Sequence, residues 1–230
     1  MKLKSWTAPR PSGEASEEMA VTLGTGRAAK LLILPAWFDE ANKLRRLTLE
    51  TMRRLHEAEI DSVLPDLPGC NESLSSLKAQ TLEGWRAAAE AACDQFGATH
   101  VLAIRAGALI APQNLPGWHY APLAGSKLLA ALLRAQTMAE REAGRQVTRQ
   151  DMLEQGREGG LVLAGWALGA RMVRALEEAA SAETAKQSTI EASDLGGPGL
   201  WLRAEPAHDA AQAERLAQII ANGISSESAA

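Results

Sequence analysis

The chain has 230 residues, a hydrophobic fraction of 46% and a formal net charge of −4. This size suits one large domain with a sizeable core, and the mild charge with scattered basic residues argues against nucleic-acid binding. No apolar run approaches the length of a membrane span, and polar residues follow Lys2 and Lys4 where a signal peptide needs an apolar core. We therefore expect a cytoplasmic protein without membrane insertion, whose Cys70 and Cys93 are reduced.

Strand and helix patterns alternate along the first half of the chain. The leading residues are rich in Pro, Ser, Glu and Gly, which favours a flexible arm. A continuous apolar run closed by Pro35 is typical of a strand buried on both faces. In chain order we predict an arm at 1–18, an edge strand at 19–24, a strand at 29–35, a helix at 39–58, a strand at 60–69, a helix at 77–97, a strand at 99–104 and a short helix at 106–110.

The alternation continues through the second half, although less regularly. We predict a strand at 118–123, helices at 126–144 and 148–155, a strand at 160–166, a helix at 168–182, a polar connector up to 199, a strand at 200–205, a helix at 209–223 and a frayed tail at 224–230. Alternating strands and helices indicate one domain, at 19–223, built as an α/β three-layer sandwich around a mostly parallel sheet. In such sheets, sites form beyond the carboxyl ends of the strands.

The stretch THVLAIRAGALIAP (99–112) predicts a buried strand that runs directly into a helix. Ala103 and Gly107 supply the small residues of the turn that carries the nucleophile in many α/β enzymes, and Arg105 stands in the nucleophile's place. A guanidinium stays protonated, so it cannot attack a carbonyl. Its positive charge at a helix N-terminus is unfavourable unless an anion lies close to it.

Two readings of Arg105 follow from that charge. In the first, a carboxylate from the same rim forms an internal ion pair with it, and Asp39, Glu40 and Glu72 are the candidates. In the second, Arg105 and the backbone of Ala106 recognise an external carboxylate, phosphate or sulfate. Large aromatic residues would line or plug the adjoining pocket, and Trp37 and Phe38 are placed to do so.

Three stretches share one resemblance: LLILPAWFDEANKLRR (31–46), DLPGCNES (66–73) and LAIRAGALIA (102–111). They resemble the exosortase A system-associated hydrolases of the second type, which are α/β-hydrolase-fold proteins. With weaker matches, the similarity spans about residues 29 to 205. The resemblance implies an α/β-hydrolase-like fold, here shortened at its C-terminal end, and a context of bacterial exopolysaccharide and surface-protein sorting. The resemblance also includes Asn42, which is expected in the first turn of a helix, where its side chain can hold neighbouring loops.

The resemblance raises the question of a catalytic triad. In hydrolases of this fold an acid follows a late strand, and a histidine follows one more strand. Glu205 lies at the acid's place, but His208 follows too soon for a further strand. Cys70, which the family pattern also carries, and Ser73 are the weak candidates for a nucleophile, although Ser73 better suits a turn cap. No pair of histidines has metal-ligand spacing, so no metal or cofactor is predicted.

We carry two functional hypotheses from the sequence. The first is a non-catalytic α/β-hydrolase relative that binds an anionic small molecule or a protein partner in the exopolysaccharide and sorting context. The alternative is an active hydrolase of esters or thioesters that uses Cys70 or a rim serine. An open sheet edge would also permit a homodimer.

Overall fold

The structure is a computed structural model, and it describes residues 1–10, 13, 15–182 and 184–228. Nine strands lie in this part of the chain: β1 (Lys2–Pro9), β2 (Ala15–Leu23), β3 (Lys30–Leu34), β4 (Asp61–Pro65), β5 (His100–Ile104), β6 (Gly117–Tyr120), β7 (Leu161–Leu163), β8 (Trp166–Leu168) and β9 (Gln187–Ile190). The same residues form six α-helices: α1 (Asp39–Glu57), α2 (Leu82–Phe96), α3 (Gly125–Glu142), α4 (Arg149–Gly159), α5 (Ala170–Glu178) and α6 (Ala210–Ser228).

Seven strands form the central sheet in the order β1-β2-β4-β3-β5-β6-β9. Five neighbouring strands, β4, β3, β5, β6 and β9, run parallel to one another, while β2 is antiparallel to both β1 and β4. This arrangement confirms the mostly parallel sheet that the alternating pattern predicts.

The central strands are buried on both faces, as their continuous apolar sequences require. On β3, Leu32 and Leu34 enter one core together with residues of α2, α3, α4 and α5. Leu31 and Ile33 enter the opposite core, which α1 and α6 cover. The molecule is therefore a three-layer α/β sandwich, in agreement with the sequence prediction.

The prediction of a flexible arm at residues 1–18 is wrong for the described residues of this segment, 1–10, 13 and 15–18, whereas residues 11, 12 and 14 lie outside the described part of the chain. The segment contributes β1 and the first part of β2, which pair antiparallel over the whole length of β1. Trp6 and Ala8 alternate into the core on the α2 side, and Trp6 Nε1 donates a hydrogen bond to the Met19 carbonyl oxygen at 3.1 Å. The polar composition reflects the exposed face of this hairpin, because only alternate positions are buried.

The prediction of a last strand at 200–205 is also wrong. Residues Leu200–Leu202 form a single 3₁₀ turn, and the last strand of the sheet is β9, which lies in the predicted polar connector. β9 lies at the sheet edge with two exposed residues, Ser188 and Thr189, so it lacks the apolar run that marks an inner strand.

Two further expectations differ from the structure. The predicted strand at 160–166 is the hairpin β7–β8, which pairs outside the central sheet. The predicted frayed tail is largely helical, because α6 continues to Ser228 and buries Ile224, whereas residues 229 and 230 lie outside the described part of the chain. None of the described helices is long and apolar enough to cross a membrane.

The cap segment, residues 125–168, lies between β6 and α5 and contains α3, α4 and the β7–β8 hairpin. Gln136 on α3 fixes the hairpin turn by accepting a hydrogen bond from the Ala164 backbone N–H at 2.9 Å. Trp166 on β8 packs against Phe38, with ring centroids 5.4 Å apart. The cap segment therefore meets the loop that follows β3.

Candidate ligand site at the carboxyl ends of the strands

Arg105 lies at the tip of a sharp turn between β5 and a 3₁₀ helix over Arg105–Ile110. Its φ of 55° is in the left-handed region that residues with a side chain rarely adopt. A Cβ at Gly107 would lie 2.6 Å from the Leu34 carbonyl oxygen, so the second small residue of the motif is required by the close approach of β3. The turn therefore has the strand-to-helix geometry that the sequence predicts.

Glu40 in the first turn of α1 binds the guanidinium of Arg105 through two parallel hydrogen bonds. Arg105 Nε donates to Glu40 Oε2 at 2.9 Å, and Nη2 donates to Oε1 at 3.0 Å. Nη1 donates to the Ala121 carbonyl oxygen at 2.8 Å. The guanidinium carbon also lies 4.1 Å from the centre of the Trp201 ring.

This environment neutralises Arg105 within the protein. The side chains of Arg105 and Glu40 are only 11% and 19% exposed, and fork-to-fork pairs of this kind are among the strong charge-assisted contacts. Of the three carboxylates predicted as partners, Asp39 and Glu72 do not contact Arg105, and Glu40 does. Of the two hypotheses for Arg105, the observed geometry therefore agrees with the internal ion pair.

A cavity of about 650 Å³ lies beside this ion pair, under the cap segment. Its wall combines aromatic rings, a few charged groups and small apolar side chains. The residues that form it are Trp37, Phe38, Asp39, Glu40, Lys43, Leu123, Leu128, Ala131, Leu132, Ala135, Ala164, Gly165, Trp166 and Trp201.

Trp37 and Phe38 are predicted to line or plug a pocket, and both are in the cavity wall. The Trp37 ring packs edge-on against Trp85, with centroids 4.7 Å apart. Phe38 precedes α1 with a φ of 56°, and its carbonyl oxygen accepts a hydrogen bond from Ala41 N at 3.1 Å. Ala106 is fully buried and is not in the described cavity wall.

The sequence reasoning missed two aromatic members of the wall, Trp166 and Trp201. Trp201 lies in the segment that was predicted as a strand, and Trp166 lies at the end of another. No local signal separates them from core residues, because both lie within apolar stretches that predict strands, and large aromatic side chains more commonly fill a core than line a cavity.

The two weak candidates for a nucleophile, Cys70 and Ser73, lie outside the wall of the large cavity. Burial, together with the charges of Asp66 and Glu18, raises the pKa of the Cys70 thiol to about 12, so it is protonated at neutral pH. Ser73 Oγ accepts hydrogen bonds from the backbone N–H groups of Gly69 at 2.8 Å and Ser75 at 3.1 Å, as expected of a turn residue.

The triad-acid position falls elsewhere than predicted. Because β9 is the last strand of the sheet, Glu191 and Asp194 follow it directly, whereas Glu205 lies exposed in a later loop. Glu191 N donates to Asp194 Oδ2 at 2.8 Å, and the two side chains form a reciprocal cap on a 3₁₀ turn. Glu191 and Asp194 thus stabilise the chain after β9.

The four histidines lie at other places in the described structure. His56 contacts Arg27, His100 contacts Glu227, and His208 is exposed. His119 is buried on β6, where burial lowers the pKa of its imidazole, and its Nε2 has no hydrogen-bond partner among the described residues. No hydrogen bond joins any of them to Arg105, and no cluster that could hold a metal ion occurs among the described residues.

The remaining rim residue, Asn42, lies on α1 on the wall of a small crevice that Arg45, Asp66 and Asn71 also line. This crevice holds about 20 Å³, which is too small for an organic ligand. Asn42 therefore lies away from the large cavity, and its role in holding neighbouring loops stays a prediction.

No protein-family model matches the chain, and no curated protein sequence matches it. Among solved structures, the chain is similar to a protein from Agrobacterium vitis S4 assigned as a hydrolase, at 14% identity and a TM-score of 0.52 over 98% of both chains. It is also similar to a thermophilic esterase from Thermogutta terrifontis with malate bound, at 13% identity and a TM-score of 0.54 over 98% of this chain and 99% of the other. A hypothetical protein from Pseudomonas aeruginosa matches at 11% identity and a TM-score of 0.51 over 83% and 77%. The strand order, the turn at Arg105 and these likenesses together define an α/β-hydrolase fold.

Proposed function

We propose that this chain is a non-catalytic α/β-hydrolase-fold protein that binds a small molecule in the cavity beside Arg105. The observation that carries the proposal is the pairing of Arg105 with Glu40 at the tip of the turn after β5. That position belongs to the attacking group in hydrolases of this fold. Here it holds a cation that has no lone pair to offer and whose donors are directed to Glu40 and Ala121.

The surroundings of the turn support a binding role. A cavity of about 650 Å³ falls within the range typical of small-molecule sites, and its wall is largely apolar with a few polar groups. The position is the one where ligands bind in open α/β sheets, beyond the carboxyl ends of the strands. An α/β-hydrolase fold keeps this recess whether or not a nucleophile is present, because fold and chemistry are separable.

The biological context of the proposal rests on the sequence resemblance alone. The three stretches at 31–46, 66–73 and 102–111 favour a role with exosortase-associated exopolysaccharide and surface-protein sorting, in the cytoplasm. A protein partner at the same rim is the other form that this binding role could take.

Hydrolysis of p-nitrophenyl acetate, butyrate and phosphate tests the absence of catalysis. We expect the wild-type protein and the Arg105→Ala variant to release p-nitrophenol at the rate of buffer. Turnover by the wild-type protein above the rate of buffer would sink the proposal, and turnover that persists in Arg105→Ala would require another nucleophile.

The alternative is a hydrolase that uses Cys70, which the family pattern carries at the same place. A thiol with a pKa of about 12 reacts slowly near neutral pH, because only the thiolate is a good nucleophile. We expect iodoacetamide at pH 7.5 to modify Cys70 far more slowly in the folded protein than in urea, as measured by mass spectrometry, with Cys70→Ser as the matched control. Rapid labelling of folded Cys70, or labelling of a rim serine by a fluorophosphonate, would favour the hydrolase.

A further inference from the structure

We propose that the ligand of this cavity is a neutral molecule with a flat aromatic ring system. The inference rests on the proposed binding function and names the class of molecule that the site takes. It differs from the anionic ligand that the isolated sequence of the Arg105 turn suggests.

The first argument is the concentration of aromatic residues. The chain has only nine aromatic residues of the Trp, Phe and Tyr types, and four of them form part of this one cavity wall: Trp37, Phe38, Trp166 and Trp201. Phe38 and Trp166 come from opposite sides, the loop after β3 and the cap segment, and their centroids are 5.4 Å apart. Aromatic pairs gain about 0.5–1.5 kcal/mol beyond the area that they bury, so such a wall favours a ring over an aliphatic chain.

The second argument is the charge balance of the wall. Three charged residues line the cavity, and each of them already has a partner. Lys43 Nζ lies 2.7 Å from Asp39 Oδ2, and Glu40 holds Arg105 through two hydrogen bonds. A charged ligand would lose its hydration without finding an unpaired group of opposite sign, which is costly.

The third argument concerns Arg105 itself. Its guanidinium donates to Glu40 and Ala121 and lies over the Trp201 ring, and Arg105 is not one of the residues that form the described wall. An anion would have to displace Glu40, leaving a carboxylate in a site where its side chain is only 19% exposed. The positive charge therefore holds the rim together and does not attract a ligand.

A matched pair of fluorescent probes tests the inference. N-phenyl-1-naphthylamine is neutral, and 8-anilino-1-naphthalenesulfonate is the same ring system with one sulfonate added. We expect the neutral probe to bind with increased fluorescence, and the sulfonate to bind about tenfold more weakly or worse, because its charge must be desolvated without a partner. Near-UV circular dichroism checks that the protein is folded in every titration.

Two alanines on α3 provide a matched pair of variants that locate the binding site. Ala131 is exposed and lines the cavity, whereas Ala130 is exposed on the same helix and is not one of the lining residues. Ala131→Phe fills the cavity and should weaken binding of the neutral probe by about fivefold or more. Ala130→Phe should change it by less than about twofold. If Ala131→Phe fails to fold, Ala135→Phe fills the same cavity from the next turn.

The outcomes separate this inference from the proposed function. Equal or tighter binding of the sulfonate would overturn the neutral-ligand inference and leave a binding protein in place. Absence of binding by the neutral probe, or binding that both cavity-filling variants leave unchanged, would also overturn it. Ester turnover that survives Arg105→Ala would overturn the proposed function, whatever the probes show.

Discussion

At the scale of single residues, a buried charged side chain is stable in this protein because hydrogen-bond partners compensate its charge. Arg105 and Asp61 are both buried, and both are surrounded by hydrogen-bond partners of opposite character. Arg105 donates hydrogen bonds to one carboxylate and to one carbonyl oxygen, and Asp61 accepts hydrogen bonds from backbone N–H groups. A buried charge is tolerated only with such partners, so removal of a partner should be more harmful than removal of an exposed charge.

The first prediction concerns Glu40→Gln. The variant leaves the Arg105 charge without its carboxylate in a poorly exposed site, and we expect it to lower the free energy of unfolding by about 2–3 kcal/mol. Urea unfolding followed by circular dichroism measures this loss. Asp39→Asn is the control on the same helix, because Asp39 is 67% exposed in its pair with Lys43, and it should cost less than about 1 kcal/mol. Equal losses in the two variants would contradict the assignment of Glu40 as the buried partner.

The second prediction concerns Asp61 and acid. Burial alone would raise the pKa of this carboxyl, but hydrogen bonds from the backbone N–H groups of Arg27, Gly26 and Thr25 outweigh it and hold the pKa below its usual value. The stabilisation is therefore present above the pKa of the unfolded chain, about 3.9, and is lost as the pH falls through the lower folded pKa.

Asp61→Asn tests this dependence. At pH 7 the variant should be less stable than the wild-type protein by about 2 kcal/mol, since hydrogen bonds to a charged acceptor are lost. The difference in free energy of unfolding should stay constant down to about pH 5 and shrink below about pH 4. Unfolding in urea across this pH range measures it, and a difference that does not change with pH would show that the carboxylate charge is not what holds the loop.

At the scale of elements, the turn between β5 and the 3₁₀ helix depends on Gly107. The third prediction is that Gly107→Ala destabilises the protein by about 2–4 kcal/mol, because its Cβ would lie 2.6 and 2.7 Å from the backbone oxygens of Leu34 and Pro35. Gly159→Ala is the matched control, since nothing lies within 4 Å of the added carbon, and it should be neutral or stabilising. Chemical denaturation of both variants measures the contrast. Similar stabilities would show that β3 can move away from the turn.

The inner elements of the fold could be predicted closely from the sequence. The strand predicted at 29–35 is β3, and the helix predicted at 39–58 is α1. Both could be predicted because their apolar residues stand at the positions that are buried in the structure. The predicted helix at 77–97 is a 3₁₀ turn followed by α2, and it ends at Gly97 in the left-handed conformation that the glycine predicts. These segments contact the core at many positions, so their periodicity is strong.

The edge strands could not be predicted, because few of their residues are buried and their sequences therefore lack an apolar pattern. β1 and β9 lie at the two edges of the sheet, with one side unpaired in the described structure. Polar residues are tolerated there, and a polar strand resembles a loop in composition. By contrast, the apolar residues at 200–202 suggest a strand, whereas Leu200 anchors a short turn in the core and Trp201 covers Arg105.

The candidate site was predictable in part. The strand-to-helix turn, its small residues and the pairing of Arg105 with a rim carboxylate follow from local sequence and from the cost of a buried charge. The cavity could not be predicted, because Trp166 and Trp201 reach it from segments more than thirty residues apart whose positions depend on the cap segment and on the loop after β9. Long-range packing of this kind leaves no local pattern.

At the scale of the whole molecule, both end regions of the described chain complete the sandwich. β1 forms one edge of the sheet beside α2, and α6 covers the opposite core beside α1. The fourth prediction is that Trp6→Ala lowers the free energy of unfolding by about 3–5 kcal/mol, because Trp6 is 3% exposed and its loss opens a cavity in the shared core.

Leu3→Ala in the same strand is the control for that prediction. Leu3 is 69% exposed, so its truncation should change the free energy of unfolding by less than about 0.5 kcal/mol. Guanidinium unfolding followed by tryptophan fluorescence and by far-UV circular dichroism measures both variants. Coincident transitions are expected, and a harmless Trp6→Ala would show that the Trp6 side chain contributes little to the shared core.

A homodimer through the edge strand β9 remains a prediction at this scale. In the described structure β9 pairs with β6 alone, which leaves its other edge open for a second chain. Sedimentation velocity at micromolar concentrations measures the oligomeric state, and a monomer at all concentrations would contradict the prediction.

Left-handed backbone recurs where parallel strands end in this molecule. Phe38, Asn71, Arg105 and Ala121 follow β3, β4, β5 and β6, and each has a φ between 44° and 56°. Such conformations cost roughly 1–3 kcal/mol apiece and are commonly taken as a mark of catalysis. If the protein is not catalytic, as proposed, then these conformations serve to reverse the direction of the chain at the carboxyl ends of the strands. Surveys that infer enzymatic activity from unusual dihedral angles should therefore weigh which functional groups occupy the turn, since its shape alone would class this protein among the enzymes.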